Sequence, residues 1–189
     1  MNADRTQRLT ALAADEGLLD VAYATVDSPI GPLFVASTAK GLVRLWFGAP
    51  PDSMLQQLAL RISPRVVEAP AALDPVRRQL DEYFEGSRTR FDLPLDWTLS
   101  HGFAQRVLEA TNRIPYGEVS TYGTVAEKAG NRAASRAAGR ALGTNPIAVV
   151  VPCHRVIGSN GSLTGYGGGM AAKEYLLRLE GFLPPQLAS

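Results

Sequence analysis

The residues best placed to do chemistry lie in one segment, Val151-Pro152-Cys153-His154-Arg155-Val156-Ile157. Cys153 is the single cysteine of the chain. A lone intracellular cysteine is by default an inert core residue. This one adjoins His154 and stands two positions from Arg155. A neighbouring imidazole or cation favours the thiolate, the form of cysteine that attacks. Glu180, on the last predicted helix, is a carboxylate available to orient His154, which completes the Cys–His–acid set of an activated nucleophile. His154 alone would read as a hydrogen-bonded core histidine. Beside this cysteine the nucleophilic reading is favoured.

A second constellation is electrostatic. Residues 1–100 hold ten Lys/Arg against thirteen Asp/Glu, a balance of −3, and residues 101–189 hold nine against five, a balance of +4. The whole-chain charge of +1 argues at first against a nucleic-acid partner, but it conceals this asymmetry. From Lys128 to Lys173 there is no acidic residue, while Arg132, Arg136, Arg140 and Arg155 lie between. A local basic field of this kind attracts phosphates, and a solvated basic face gives the same count.

Both sets must be positioned by regular elements. Thr121 predicts a cap for a helix over Tyr122–Ala129, Gly130-Asn131 a turn, and Ala133–Leu142 a second helix, together a helix-turn-helix signature. Arg132, Arg136 and Arg140, at i, i+4 and i+8, then share one stripe among Ala133, Ala134, Ser135, Ala137, Ala138, Gly139 and Ala141. Small side chains suit close backbone contact with DNA, in the minor groove with one side chain inserted, better than base reading in the major groove. An alanine-rich helix packed on a neighbour fits this stretch equally well. Upstream, Phe103–Ile114 reads as a helix, and downstream Ile147–Val151 is an apolar run before the glycine-rich Gly158–Gly169. A last helix is predicted from Ala171 to Leu179, closed by Gly181.

The first half reads differently. Val21–Val26, Leu33–Ser37 and Leu42–Phe47 predict strands of a hairpin meander, with Asp27-Ser-Pro-Ile-Gly31 in the opening hairpin. Met54–Ile62 and Asp74–Glu85 predict helices. Arg88–Leu99 is extended and irregular, so the boundary is placed there. The expected class is α/β (α+β): residues 1–20 an extension, 21–97 a small support domain of antiparallel sheet and helix, and 101–185 a mostly helical domain. With 189 residues, one or two compact domains are expected. No apolar run approaches the ~20 residues that span a bilayer. Residues 1–20 lack the apolar core of a secretory signal, and one cysteine makes no internal disulfide, so a cytoplasmic address is expected.

The segment Ile147–Tyr166, with Pro-Cys-His-Arg-Val and Gly165-Tyr166, resembles the active-site signature of O6-alkylguanine-DNA alkyltransferases, the methylated-DNA–protein-cysteine methyltransferases. The resemblance extends over Phe103–Gly181, including Ile114-Pro-Tyr-Gly-Glu-Val119 and Lys173-Glu174, and more weakly over Val21–Phe47. It implies a ribonuclease H-like first domain and DNA repair by alkyl transfer to the protein itself. By position it implies Cys153 as the nucleophile, His154 acting on it through a water, Glu180 orienting His154, and Asn145 at the turn into the active-site segment. Tyr122 would help rotate and bind the flipped nucleotide, and Arg136 would fill the vacated place in the duplex. Thr121, Ala134, Ser135, Arg132 and Arg140 are implied at the DNA. Backbone at Cys153 and Val156 would read the guanine edge, Tyr166, Gly167 and Leu142 would line the pocket, and Lys173 would lie near the thiol. Ser135 departs from the family's usual alanine, and Gly167 from the serine of some members.

The resemblance implies no cofactor. The first domain lacks the cysteines and histidines that zinc-binding members use, so no metal is expected. The implied partner is double-stranded DNA carrying O6-alkylguanine, with O4-alkylthymine open. No membrane partner is expected, and a monomer is, with cooperative assembly along DNA open. Two rivals remain: a non-catalytic lesion binder, against which Cys153 speaks, and a Cys–His hydrolase using His101, which leaves the arginines unexplained.

Overall fold

The computed structural model describes residues 19–185, and most of the expected N-terminal extension, residues 1–18, lies outside them. The chain divides into two compact units between Leu99 and Ser100.

The first unit is built on a four-stranded sheet in the order β3-β2-β1-β4. Strands β1 (Val21–Val26), β2 (Leu33–Thr38) and β3 (Gly41–Phe47) form the expected antiparallel meander. In β2, Leu33, Phe34, Val35 and Ala36 are all fully buried, so this central strand is covered on both faces. Helix α1 (Asp52–Arg61) sets Met54 and Leu58 against Val21, Phe34, Ala36 and Val43. Helix α2 (Asp74–Phe84) buries Val76, Leu80 and Tyr83. The sequence reading missed β4 (Val66–Glu68), which pairs parallel to β1. Three residues, two of them exposed, are too few to show a strand period.

The irregular stretch before Leu99 closes the far edge of this sheet. Leu42 N donates to Pro94 O at 2.8 Å and Asp96 N to Leu42 O at 2.9 Å. Asp96 is buried; burial pushes its carboxyl up, but hydrogen bonds from Thr38 and Thr98 outweigh this and hold it below the ordinary carboxylate range. The close approach requires Gly41: its φ is +132°, and a Cβ there would lie 2.2 Å from Pro94 O.

The second unit is mostly helical, as expected. Its elements are α3 (Gly102–Thr111), β5 (Ser120–Thr121), α4 (Tyr122–Lys128), α5 (Ser135–Gly143), β6 (Val156–Ile157) and α6 (Gly169–Leu179). Thr121 caps α4, accepting from Thr124 N at 3.2 Å. Helix α4 ends in a Schellman turn: Gly130, at φ +91°, donates to Glu127 O, and Asn131 N donates to Ala126 O. The next helix does not begin at Ala133. Arg132–Ala134 form a 3-10 turn capped by Asn131 and lead into α5, so Arg136 and Arg140 share the α-helix while Arg132 precedes it. The asparagine side chain tightens this first turn.

Replacing Gly41 by Ala should destabilise the first unit by about 2 kcal/mol or more, from positive φ plus displacement of Pro94. The midpoint of urea unfolding followed by the two tryptophans, both in this unit, measures it; an unchanged midpoint would contradict the packing.

Candidate active site in the second unit

The chain reaches Cys153 through a distorted path. Ile147–Val151 is buried but forms no strand; it is a run of turns. Val150 N donates to Ala148 O at 2.8 Å, closing a three-residue turn around Val149, whose φ of 68° is unusual for a β-branched residue. A second three-residue turn follows at once around Pro152 (φ −81°, ψ 64°), with Cys153 N donating to Val151 O at 2.8 Å. Burial of Ile147, Val149 and Val151 holds this costly backbone in place. Asn145 spans it: Ile147 N donates to its Oδ1 at 3.0 Å, while its Nδ2 reaches Val151 O at 2.9 Å and the Cys153 Sγ at 3.2 Å.

Cys153, His154 and Arg155 occupy one 3-10 turn that runs into β6. Strand β6 pairs parallel with β5, which joins the end of this turn to the start of α4. On α6, Gly181 at φ +78° and Phe182 form another Schellman turn, donating to Arg178 O and Leu177 O, so Glu180 is held as the helix cap.

Glu180 is the buried hub. His154 Nε2 lies 2.8 Å from Oε1, and Arg155 donates through Nε to Oε2 and through NH2 to Oε1, both at 2.8 Å. Burial alone would raise the carboxyl, but the hydrogen bonds from His154 and Arg155 hold it down at about 2. Burial also pushes the His154 imidazole below its ordinary value, so it is neutral at rest. Because an ionised carboxylate only accepts, Nε2 carries the proton and Nδ1 is the basic nitrogen. No protein atom hydrogen-bonds that buried Nδ1. The basic nitrogen thus keeps its lone pair available.

The expectation that His154 or Arg155 depresses the thiol is corrected. Burial pushes the Cys153 thiol above its ordinary value, and only the Asn145 hydrogen bond, the Lys173 charge and its own backbone pull it down. The resting form is a thiol. Arg155 is instead committed to Glu180 and, through NH1, to Ile114 O at 2.6 Å, with its guanidinium over the Tyr116 ring at 5.8 Å. Lys173 is fully buried and donates to Val156 O at 2.7 Å and Thr164 O at 3.0 Å.

Cys153 lines a cleft of about 480 Å³ together with Tyr122, Gly139, Leu142, Gly143, Thr164, Gly165, Tyr166 and Gly167. Tyr122, Leu142, Tyr166 and Gly167 were expected there. Val156 is not part of the lining; it is buried in β6 with its carbonyl on Lys173. Thr164 was missed, since a threonine in a glycine-rich loop carries no pattern. Arg136 and Arg140 are exposed, Ala134 and Ser135 half-buried, and exposed Arg132 lies 3.6 Å from Glu127. His101 is exposed just before α3 and outside the cleft, which leaves a hydrolase without its second base.

A buried cysteine next to a neutral histidine, opening into a cleft walled in part by a helix-turn-helix, fits the class of DNA-binding proteins that carry a thiol in their site. Comparison with known proteins makes the class specific. The family described as "6-O-methylguanine DNA methyltransferase, DNA binding domain" matches residues 102–182, and "6-O-methylguanine DNA methyltransferase, ribonuclease-like domain" matches residues 21–97. The chain is 45% identical over 158 residues to the methylated-DNA–protein-cysteine methyltransferase of Mycobacterium tuberculosis, covering 84% of this chain and 91% of that one. It is 43% identical over 159 residues to the protein of that name from Methanosarcina acetivorans, covering 84% and 97%. The crystal structure of the M. tuberculosis O6-methylguanine methyltransferase matches with a TM-score of 0.72 at 43% identity, over 88% of this chain and 97% of that one. A structure of the M. tuberculosis protein in complex with DNA matches with a TM-score of 0.72 at 43% identity, over 85% and 93%. The chain belongs to the methylated-DNA–protein-cysteine methyltransferase family.

The two buried groups set a pH dependence. His154 and Glu180 both have folded values below their unfolded ones, so each stabilises the fold above its unfolded value and loses that contribution as pH falls. The urea midpoint of the second unit should fall as pH drops below about 6.5, where an unfolded histidine protonates. It should fall again between 4.5 and about 2. An acid limb beginning only below 4.5 would show that His154 is not held neutral.

Proposed function

We propose that this chain repairs O6-alkylguanine in double-stranded DNA by moving the alkyl group to Cys153 in one irreversible turnover, acting as a cytoplasmic monomer. Residues 101–185 would be the alkyltransferase domain and 21–97 its support. The observation that carries the reading is the thiol of Cys153 opening into a cleft shared with Tyr122 and Leu142 of the helix-turn-helix.

The target lies inside a duplex and must leave the stack at a cost of a few kcal/mol. Arg136, exposed on α5, is suited to fill the place it vacates, with Arg132, Arg140, Thr121, Ala134 and Ser135 against the backbone. In the cleft, Cys153 Sγ attacks the alkyl carbon in line with the guanine oxygen. The S–C bond forms as the O–C bond breaks. The thiol proton passes through a bridging water to His154 Nδ1, and the imidazolium returns that proton through water to the released guanine, so His154 ends neutral and charge balances. Glu180 stabilises the transient imidazolium through Nε2, and Arg155 keeps that carboxylate ionised. Tyr122 donates a hydrogen bond to the flipped base. The thioether product has no second nucleophile to remove it, so each molecule acts once. Exposed Arg136 and Arg140 among small side chains on α5 support recognition of the lesion rather than of a sequence.

Mixing the protein with duplex DNA carrying labelled O6-methylguanine should move label to protein one-to-one and then stop. Cys153→Ala should abolish transfer and keep DNA binding; repeated turnover, or transfer surviving the substitution, would sink the mechanism. Arg136→Ala should slow duplex repair by about ten-fold, the equivalent of about 1.4 kcal/mol of flipping cost, with transfer from a free O6-alkylguanine base unaffected. Equal slowing of both would remove the inserted-arginine role.

A further inference from the structure

The cleft has two sides of different origin. Tyr122, Gly139, Leu142 and Gly143 come from the helix-turn-helix, and Thr164 to Gly167 from the loop between β6 and α6. That loop is rich in glycine, with Gly158, Gly161, Gly165, Gly167 and Gly168. Residues of this type do not fix a wall by themselves. Thr164 differs from its neighbours in being held at both ends. Its carbonyl accepts from the buried ammonium of Lys173 at 3.0 Å, and Lys173 is anchored in turn on Val156 O in β6. Its hydroxyl lies 2.7 Å from the Tyr122 hydroxyl.

Tyr122 needs such a partner. It is the first residue of α4, half-buried, with its ring edge against Gly139: a Cβ at that position would lie 3.6 Å and 3.7 Å from two ring carbons. Gly139 itself offers no side chain to hold the ring. A hydroxyl has one proton and two acceptor sites. If Tyr122 spends its proton on Thr164, it has none for a base in the cleft; if Thr164 donates, the phenolic proton is free to point at the ligand.

We propose that Thr164 is a positioning residue for the reaction, whose hydroxyl donates to the Tyr122 oxygen, fixes the ring over Gly139 and leaves the Tyr122 proton directed at the flipped base. The inference rests on the alkyl-transfer reading above. Its backbone anchor on Lys173 extends the line of support to β6, one residue beyond the catalytic turn. Thr164 therefore couples the placement of Tyr122 to that of the cysteine segment, two parts of the site that come from different elements.

The test is single-turnover transfer from duplex DNA carrying O6-methylguanine, at saturating protein, for Thr164→Val, Thr164→Ser, Tyr122→Phe and the double variant Tyr122→Phe/Thr164→Val. Thr164→Val keeps the shape and removes the hydroxyl. It should slow the transfer step by about three- to ten-fold, the range of one neutral hydrogen bond, with affinity for undamaged duplex unchanged. Thr164→Ser should restore the rate to within about two-fold of the unmodified protein. On the Tyr122→Phe background, Thr164→Val should add no further loss, because the group through which it acts is gone. Equal losses on both backgrounds, or full activity of Thr164→Val, would overturn the proposal while the unmodified protein still transfers label. Absence of transfer by the unmodified protein would instead overturn the function on which it rests.

Discussion

The second unit depends on one ionised carboxylate kept away from water. Glu180 sits at the C-terminal end of α6, where the helix dipole disfavours negative charge, and it is almost completely buried. Such a group is tolerated only with its lone pairs filled and its charge matched. Arg155 supplies the bidentate fork and His154 the remaining hydrogen bond. The same arginine reaches Ile114 O, and Tyr116 donates to Leu179 O at 2.9 Å, so the loop after α3 is drawn to the end of α6. These contacts fix the reactive turn to the end of α6 and to the loop after α3. Truncating Arg155 or Glu180 would strand a buried charge, which makes this cluster cooperative rather than a sum of bonds.

That arrangement assigns different work to adjacent residues. Cys153, His154 and Arg155 follow one another in a tight 3-10 turn, and the thiol points away from the two side chains that follow it. The thiol turns to the cleft, and both the imidazole and the guanidinium turn to Glu180. Neutral imidazole and protonated thiol are then compatible at rest, and neither carries charge until a substrate is present.

This divergence marks the limit of what the residue order conveys. The cysteine, its histidine and the distant glutamate were legible because their types are informative and their chemistry is narrow. The helix-turn-helix was legible from a cap, a glycine turn and the spacing of apolar residues. Arg155 was misread because adjacency to a thiol suggests an electrostatic partner, whereas the turn aims it at a residue 25 positions away. Ile147–Val151 has the composition of a strand, yet Val149 adopts positive φ because Asn145 and the two tight turns dictate it. Strand β4 and the role of Thr164 rest on long-range pairing of short or featureless segments, and no local pattern reports such pairing.

The raised thiol has a consequence for durability. Under the single-turnover transfer proposed above, the cysteine is consumed by its one reaction and has no spare, so every adventitious oxidation would remove one molecule from service. Oxidants climb from thiolate to sulfenic and then irreversible sulfinic acid, and they act on the ionised, accessible form. Cys153 is only 8% exposed and is held protonated by burial. The environment that makes it a sluggish nucleophile in the absence of a substrate is also what preserves it until one arrives.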